Sequence, residues 1–165
     1  MRIGLFSAIA FAAVILDSAL APEIEILGAR PDLLVLVVVY GSLLVGGRQA
    51  IVAGFLMGVA SDADIPSYLG LNALALSITG LATFRVWNHL VRASVLVQCA
   101  VIFAATLLHD VIYYLGYYRN HLDMFGRFII RYSIPGALYT AAIGVVIYAL
   151  ARALGLREVS GGSLG

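Results

Sequence analysis

The charged residues of this 165-residue chain occur in short groups that separate six long apolar runs. A soluble core does not need such runs, whereas a helix needs about 20 apolar residues to cross the hydrocarbon core of a membrane. Most of the runs reach this length when their uncharged flanks are included, so we predict an integral membrane protein. The runs are Ile3 to Leu16, Leu33 to Val45, Ile51 to Ala60, Leu69 to Phe84, Val95 to Leu108 and Ile134 to Leu150.

The composition agrees with this prediction. The chain is 62% hydrophobic and 12% charged, and its mean hydropathy is +1.02, whereas soluble domains carry about 25% charged residues. We predict an all-α fold, with residues 1–165 forming a single transmembrane domain. The first run, with Ala19-Leu20-Ala21 behind it, also resembles a cleavable secretory signal, but we expect an uncleaved helix because Asp17 lies late in the run. The six helices are predicted at about 3–21, 31–46, 49–62, 69–86, 93–116 and 132–154.

The charges in alternate gaps between the runs predict an orientation. One set of gaps, which includes both termini, contains six arginines and one acid, and the other contains four arginines and eight acids. Arginine and lysine are retained on the cytoplasmic side of membrane proteins. We therefore expect both termini of a multi-pass protein to be cytoplasmic and the acid-rich gaps to be outside.

The segment from Arg30 to Leu74 contains the most specific pattern. Arg30-Pro31-Asp32 is typical of a helix start, because proline suits the first turn and an acid complements the helix dipole. The apolar run that follows includes Tyr40 and ends in a Gly-Gly turn. Gly54 and Gly58 are four residues apart, so they share a helix face on which a second helix can approach closely.

The third run is interrupted by Asp62, and the next begins near Gly70 and Asn72. Irregular backbone at membrane depth must be covered by protein or line a water-filled cavity. We therefore expect Asp32 and Asp62 to fix the outer ends of the second and third helices. Gly70 and Asn72 are expected to shape the start of the fourth helix, beside an outward-facing concavity.

In their order and spacing these residues resemble the rod shape-determining protein MreD family. The resemblance rests on Arg30-Pro31-Asp32, Tyr40, Gly46, Gly54, Gly58, Asp62 and the sequence from Leu69 to Leu74. It implies six transmembrane helices similar to the substrate-binding components of energy-coupling-factor transporters. It also implies a bacterial inner-membrane role in cell elongation and peptidoglycan synthesis. The implied partners are a bitopic MreC-like protein and, through it, a RodA-like glycosyltransferase and its transpeptidase.

Two polar groups near the end of the chain allow further interpretations. His109 and Asp110 are adjacent, and adjacent helical residues point about 100° apart, so we do not expect them to share a proton path. Asp123, Arg127 and Arg131 follow a helical spacing among aromatic residues. This pattern predicts an amphipathic helix that lies on the outer surface or leads into the last crossing, with arginines facing lipid phosphate, solvent or a partner.

The sequence shows no pattern that requires catalysis. Asp62-Ala63-Asp64 has the spacing of a metal and nucleotide-sugar motif, but it falls in a short outer gap, and no glycine-rich phosphate loop follows a strand. We expect no enzyme activity, no cofactor, no metal and no nucleic-acid partner, although membrane lipids are expected contacts. A scaffold is the preferred interpretation. The alternative is the substrate-binding membrane component of a vitamin-type transporter, with the outer concavity as its pocket.

Overall fold

The computed structural model describes residues 2–20, 29–63, 68–90, 95–118 and 122–153, and all of its elements in these ranges are helical. The described residues form seven α-helices and one π-helical turn, and the last two α-helices are continuous with that turn. The fold is therefore an all-helical bundle of six rods. The elements are α1 (Arg2–Leu20), α2 (Leu33–Leu44), α3 (Gly47–Asp62), α4 (Leu71–Leu90), α5 (Val95–Tyr117), α6 (Leu122–Phe128), the π-helix Ile129–Ser133 and α7 (Ile134–Ala153).

The predicted helices correspond to these rods with shifted ends. The largest difference is in the last rod, which was expected from residue 132 but begins at Leu122. The amphipathic segment before it therefore leads directly into α7. The predicted ends at residues 21, 93 and 154 lie outside the described ranges, as does Asp64.

Helix α2 occupies the centre of the bundle. It contacts α1, α3, α4, α5 and α7, and apolar side chains cover its circumference, as in the run from Leu33 to Tyr40. A helix that is apolar on all sides belongs in a protein core or a membrane, and Val35, Val38 and Val39 of α2 are fully enclosed. The other helices therefore pack around α2.

A tight turn connects α2 to α3. Gly46 has a φ of 94°, a left-handed conformation that L side chains rarely adopt. Its carbonyl oxygen accepts the Ala50 amide at 3.0 Å, which begins α3. The chain thus reverses between two helices with Val45 and Gly46 as the only residues outside them.

Helices α3 and α4 approach each other most closely at Gly54 and Gly58. A Cβ atom at Gly58 would overlap the backbone of Ala73, and one at Gly54 would lie 3.0 Å from the Leu76 carbonyl oxygen. The two glycines therefore serve a contact within the chain. Such proximity increases van der Waals contact, which drives helix association in membranes.

Within the described ranges, two helical segments are long and apolar enough to cross a membrane. They are Val95–Tyr117 and Met124–Leu150, with mean hydropathies of 2.1 and 1.7. Shorter apolar helical stretches occur at Phe6–Ala19, Leu33–Ser42 and Leu71–Val86. At 12 residues, α2 is about 18 Å long, less than the roughly 30 Å of a hydrocarbon core.

Adding a methyl group at Gly58 should destabilise the bundle, because the new atom meets the backbone of Ala73 rather than a mobile side chain. We expect Gly58→Ala to lower the free energy of unfolding by about 1–3 kcal/mol, the usual cost of overpacking. The measurement is thermal or denaturant unfolding of the purified protein in detergent. Gly4→Ala is the matched control, because a Cβ there meets nothing within 4 Å. Equal stability of the two variants would contradict the close contact of α3 with α4.

Candidate polar site

The carboxylate of Asp62 holds the start of α4. Its oxygens accept hydrogen bonds from the backbone N–H groups of Gly70 at 2.8 Å, Asn72 at 3.1 Å and Ala73 at 3.3 Å. These are N–H groups that a helix start leaves without partners inside the helix. Asp62 itself is only 5% exposed, so the acid at the end of α3 acts as the cap of the following helix.

Gly70 has the backbone conformation that this cap needs. Its φ is 94°, in the left-handed region that glycine tolerates without strain, and its carbonyl oxygen accepts the Leu74 amide at 2.9 Å. The residue therefore begins α4 while its N–H group points at Asp62. An L side chain here would be strained even though space is available for a Cβ.

Asp32 caps α2 in a similar way. Its Oδ1 atom accepts the Val35 amide at 2.8 Å, which is the usual bond of an N-cap residue. Its own backbone N–H donates to Thr140 Oγ1 at 2.9 Å, and that hydroxyl donates to the Gly136 carbonyl at 2.8 Å. The start of the central helix is thereby joined to α7.

The imidazole of His109 on α5 connects the two capped helices. Its Nδ1 atom lies 3.0 Å from Asp32 Oδ2, and its Nε2 atom lies 2.7 Å from the Asn72 side-chain oxygen. His109 is 7% exposed. Because Asn72 also donates its backbone amide to Asp62, a continuous chain of polar contacts joins α2, α5, α4 and α3. We call this end of the bundle, defined by Asp32, Asp62 and His109, the acidic end.

Asp110 completes the group around His109. Its Oδ1 atom lies 3.3 Å from His109 Nδ1, so these adjacent side chains contact each other. The two Cα–Cβ bonds diverge, but the two side chains bend toward one another. Nδ1 of His109 therefore lies between carboxylates from two helices. Two anionic groups at this distance from one nitrogen require a positive species between them, either a proton or a metal ion.

Tyr40 ties the middle of α2 to α7. Its hydroxyl donates to the Gly144 carbonyl oxygen at 2.6 Å, and a Cβ at Gly144 would overlap Ile102 Cδ1 and approach the same hydroxyl. The Tyr40 hydroxyl group therefore makes its hydrogen bond inside the bundle. Hydrogen bonds therefore join α7 to the α2 segment at two places, at the N-cap residue Asp32 and at Tyr40.

Aromatic rings form a band at the acidic end. Tyr114 contacts Phe128 with ring centroids 4.2 Å apart, and Phe128 contacts Tyr132 at 4.8 Å. Such rings are typical of a membrane–water interface. Arg127 and Arg131 are exposed, and the guanidinium of Arg131 lies 5.8 Å from the Tyr132 ring centre. The band also includes Tyr68, Tyr113, Tyr117 and Tyr118.

The residues singled out from the sequence thus occupy three environments. Asp32, Asp62, Gly70 and Asn72 meet at the acidic end. Tyr40, Gly54 and Gly58 lie between helices, and Arg127 and Arg131 remain on the surface. Sequence reasoning missed His109, Asp110 and Thr140 as members of the polar site. A histidine inside an apolar run was the available signal for His109, but its partners are distant in sequence.

In the part of the chain that the structure describes, all elements are helical, buried polar groups join helices, and two helices have the length and apolarity of membrane spans. These features define a helical protein of the membrane-spanning class. A family model described as rod shape-determining protein MreD matches residues 2–156. The chain belongs to the MreD family, as its sequence predicted, and this membership implies a role in rod shape determination. The family is a membrane protein family of structural proteins rather than a known enzyme family. No curated protein and no solved structure matches this chain.

Removal of the Asp62 carboxylate should destabilise the start of α4. We expect Asp62→Ala to lower the free energy of unfolding by about 1–3 kcal/mol, because buried N–H groups lose their acceptor. Asp62→Asn keeps one oxygen and loses the charge near the helix dipole, so it should cost about 1 kcal/mol or less. Unfolding of both variants in the same detergent tests this order. Equal losses of unfolding free energy in the two variants would show that the hydrogen bonds to the remaining side-chain oxygen contribute little to stability.

Proposed function

We propose that this chain is a non-enzymatic membrane scaffold of the bacterial elongation machinery and that it binds an MreC-like bitopic partner. Through that partner it would be linked to a RodA-like glycosyltransferase and its transpeptidase during peptidoglycan synthesis. The observation that carries the proposal is the MreD family match, which spans residues 2–156. The structure contributes a physical argument: Asp32, Asp62 and His109 each bond to a group on a neighbouring helix.

The bonding at the acidic end favours a scaffold over a solute-binding transport component. Both oxygens of Asp62 accept backbone N–H groups, and the Asn72 side-chain oxygen accepts His109. A pocket for a small polar solute needs convergent polar groups that are available to the ligand. Asp62 and Asn72 were the expected lining of such a pocket, and their principal acceptor atoms are already engaged.

The surface that we propose for the partner is the arginine pair beside the aromatic band. Arg127 and Arg131 are about one helical turn apart and exposed. The rings of their sequence neighbours, Phe128 and Tyr132, contact each other. Aromatic residues and arginine are enriched at protein interfaces. An acidic or carbonyl-rich segment of the partner next to the membrane fits this surface.

Neutralising the arginine pair should weaken the partner complex. For Arg127→Gln with Arg131→Gln we expect a two- to thirtyfold loss of affinity, because exposed ion pairs contribute about 0.2–1 kcal/mol each. Co-purification with the MreC-like protein of the same genome, followed by titration in nanodiscs, gives the measurement.

Arg48→Gln with Arg85→Gln is the matched control for the arginine pair, because these exposed arginines belong to the opposite set of gaps. Unchanged affinity in the Arg127/Arg131 variant would place the partner on another face. Stabilisation of the purified chain by a vitamin-type solute, with no effect of the partner, would favour the transport alternative.

We further propose that six helices cross the inner membrane and that both termini are cytoplasmic. The asymmetric distribution of arginine between alternate gaps supports this topology. A reporter that is active only in the cytoplasm should be active when fused after Gly165 or inserted near Gln49. The same reporter should be silent near Glu25 or Asn120. Activity at Asn120 would refute the six-helix topology, and a second, periplasm-specific reporter at the same positions provides the control.

A further inference from the structure

The ring of His109 is held in one orientation with its two nitrogens in different roles. Nε2 lies 2.7 Å from the side-chain oxygen of Asn72, so Nε2 carries hydrogen and donates it. Nδ1 faces Asp32 Oδ2 at 3.0 Å and Asp110 Oδ1 at 3.3 Å. When Nε2 holds the hydrogen of a neutral imidazole, the lone pair of Nδ1 points toward the two carboxylates.

The charge of this group favours a divalent cation. Two carboxylates supply two negative charges, and a proton on Nδ1 neutralises only one of them. Uncompensated charge is expensive in a partly buried place. With a dication bound to the neutral imidazole and to the Asp32 and Asp110 carboxylates, the net charge of the ion and its three ligands would be zero.

The distances match those of a small metal site. The three candidate ligand atoms all lie within 4.8 Å of one another. Tetrahedral zinc with bonds of about 2.0–2.2 Å separates its ligand atoms by roughly 3.3–3.5 Å, which is close to the two nitrogen–oxygen distances. We propose that Asp32, His109 and Asp110 form a transition-metal site that binds Zn²⁺, with water in the remaining position. This replaces the sequence-based expectation of no metal.

The surroundings of the ligands have the features of a supported metal site. A ligating histidine donates its other ring N–H to an oxygen, and Asn72 provides that oxygen. Asp32 is fixed through its second oxygen by the Val35 amide. The Asp32 and Asp110 side chains are 19% and 17% exposed, so an ion and water can reach the ligands. One imidazole with two carboxylates suits zinc or manganese better than magnesium or calcium, which prefer all-oxygen sites.

The bound metal ion would stabilise the packing of the helices. Asp32 begins α2, while His109 and Asp110 belong to α5, and His109 holds α4 through Asn72. An ion bound here connects three helices at the acidic end. Binding to the folded state alone stabilises a protein by mass action, so the ion should raise the melting temperature.

The test uses the full chain in nanodiscs, stripped with a chelator and carrying no histidine tag. Titration with Zn²⁺ should saturate at one ion per chain, with a rise in melting temperature, and millimolar Mg²⁺ should not displace it. Zinc-edge X-ray absorption of the wild-type complex should show only nitrogen and oxygen donors. A wild-type chain that takes up no zinc, or a sulfur donor that places the ion at Cys99, would overturn the proposal.

Variants identify the ligands. His109→Gln and Asp110→Asn should each lower zinc affinity by about tenfold or more, because even outer-shell changes cost 10- to 100-fold. His89→Gln with His121→Gln is the matched control, since these are the other two histidines of the chain, and it should bind zinc as the wild type does. Gel filtration establishes that each variant is folded before titration. Unchanged affinity in folded His109→Gln would refute the site.

Discussion

Protein covers most of the central helix α2, and the face with Leu33, Val37 and Tyr40 is only partly buried. This burial determines which partners the start of the helix needs. Backbone N–H groups in the buried part of a helix start need acceptors within the protein, and each such group costs about 1–3 kcal/mol when it lacks a partner. Asp32 supplies the acceptor inside the protein. The second oxygen of Asp32 faces His109, where a proton or a bound cation compensates the charge of the carboxylate. The polar site follows from the burial of an apolar helix.

This arrangement couples parts of the chain that are synthesised at very different times. The backbone N–H of Asp32 finds its acceptor on Thr140, which lies 108 positions later. The start of α2 is therefore completed only when α7 has packed. Helices α3 and α4, in contrast, meet through glycine contacts and the Asp62 cap over a short sequence distance, so they form a local unit.

The sequence predicted what depends on neighbouring residues. An acid beside proline before an apolar run indicated the capped start of α2, and two glycines at helical spacing indicated a close helix contact. It predicted less well what depends on tertiary geometry. Asp62 was expected to fix the outer end of α3, but its carboxylate caps α4. A proton path through His109 and Asp110 was not expected because adjacent helical residues point in different directions. The contact of His109 with Asn72, 37 positions away, leaves no periodic signal in the sequence.

The last rod contains a short stretch of different helical pitch. In the π-helix Ile129–Ser133, hydrogen bonds close over five residues instead of four, so a turn holds one residue more than an α-turn. Arg127 before it faces outward, while Ala137 and Ala141 after it are buried. The extra residue changes the angle about the helix axis between the side chains before the π-helix and those after it. Deletion of one residue here would therefore convert the π-turn into an α-turn, and each stretch would keep the face that it presents now.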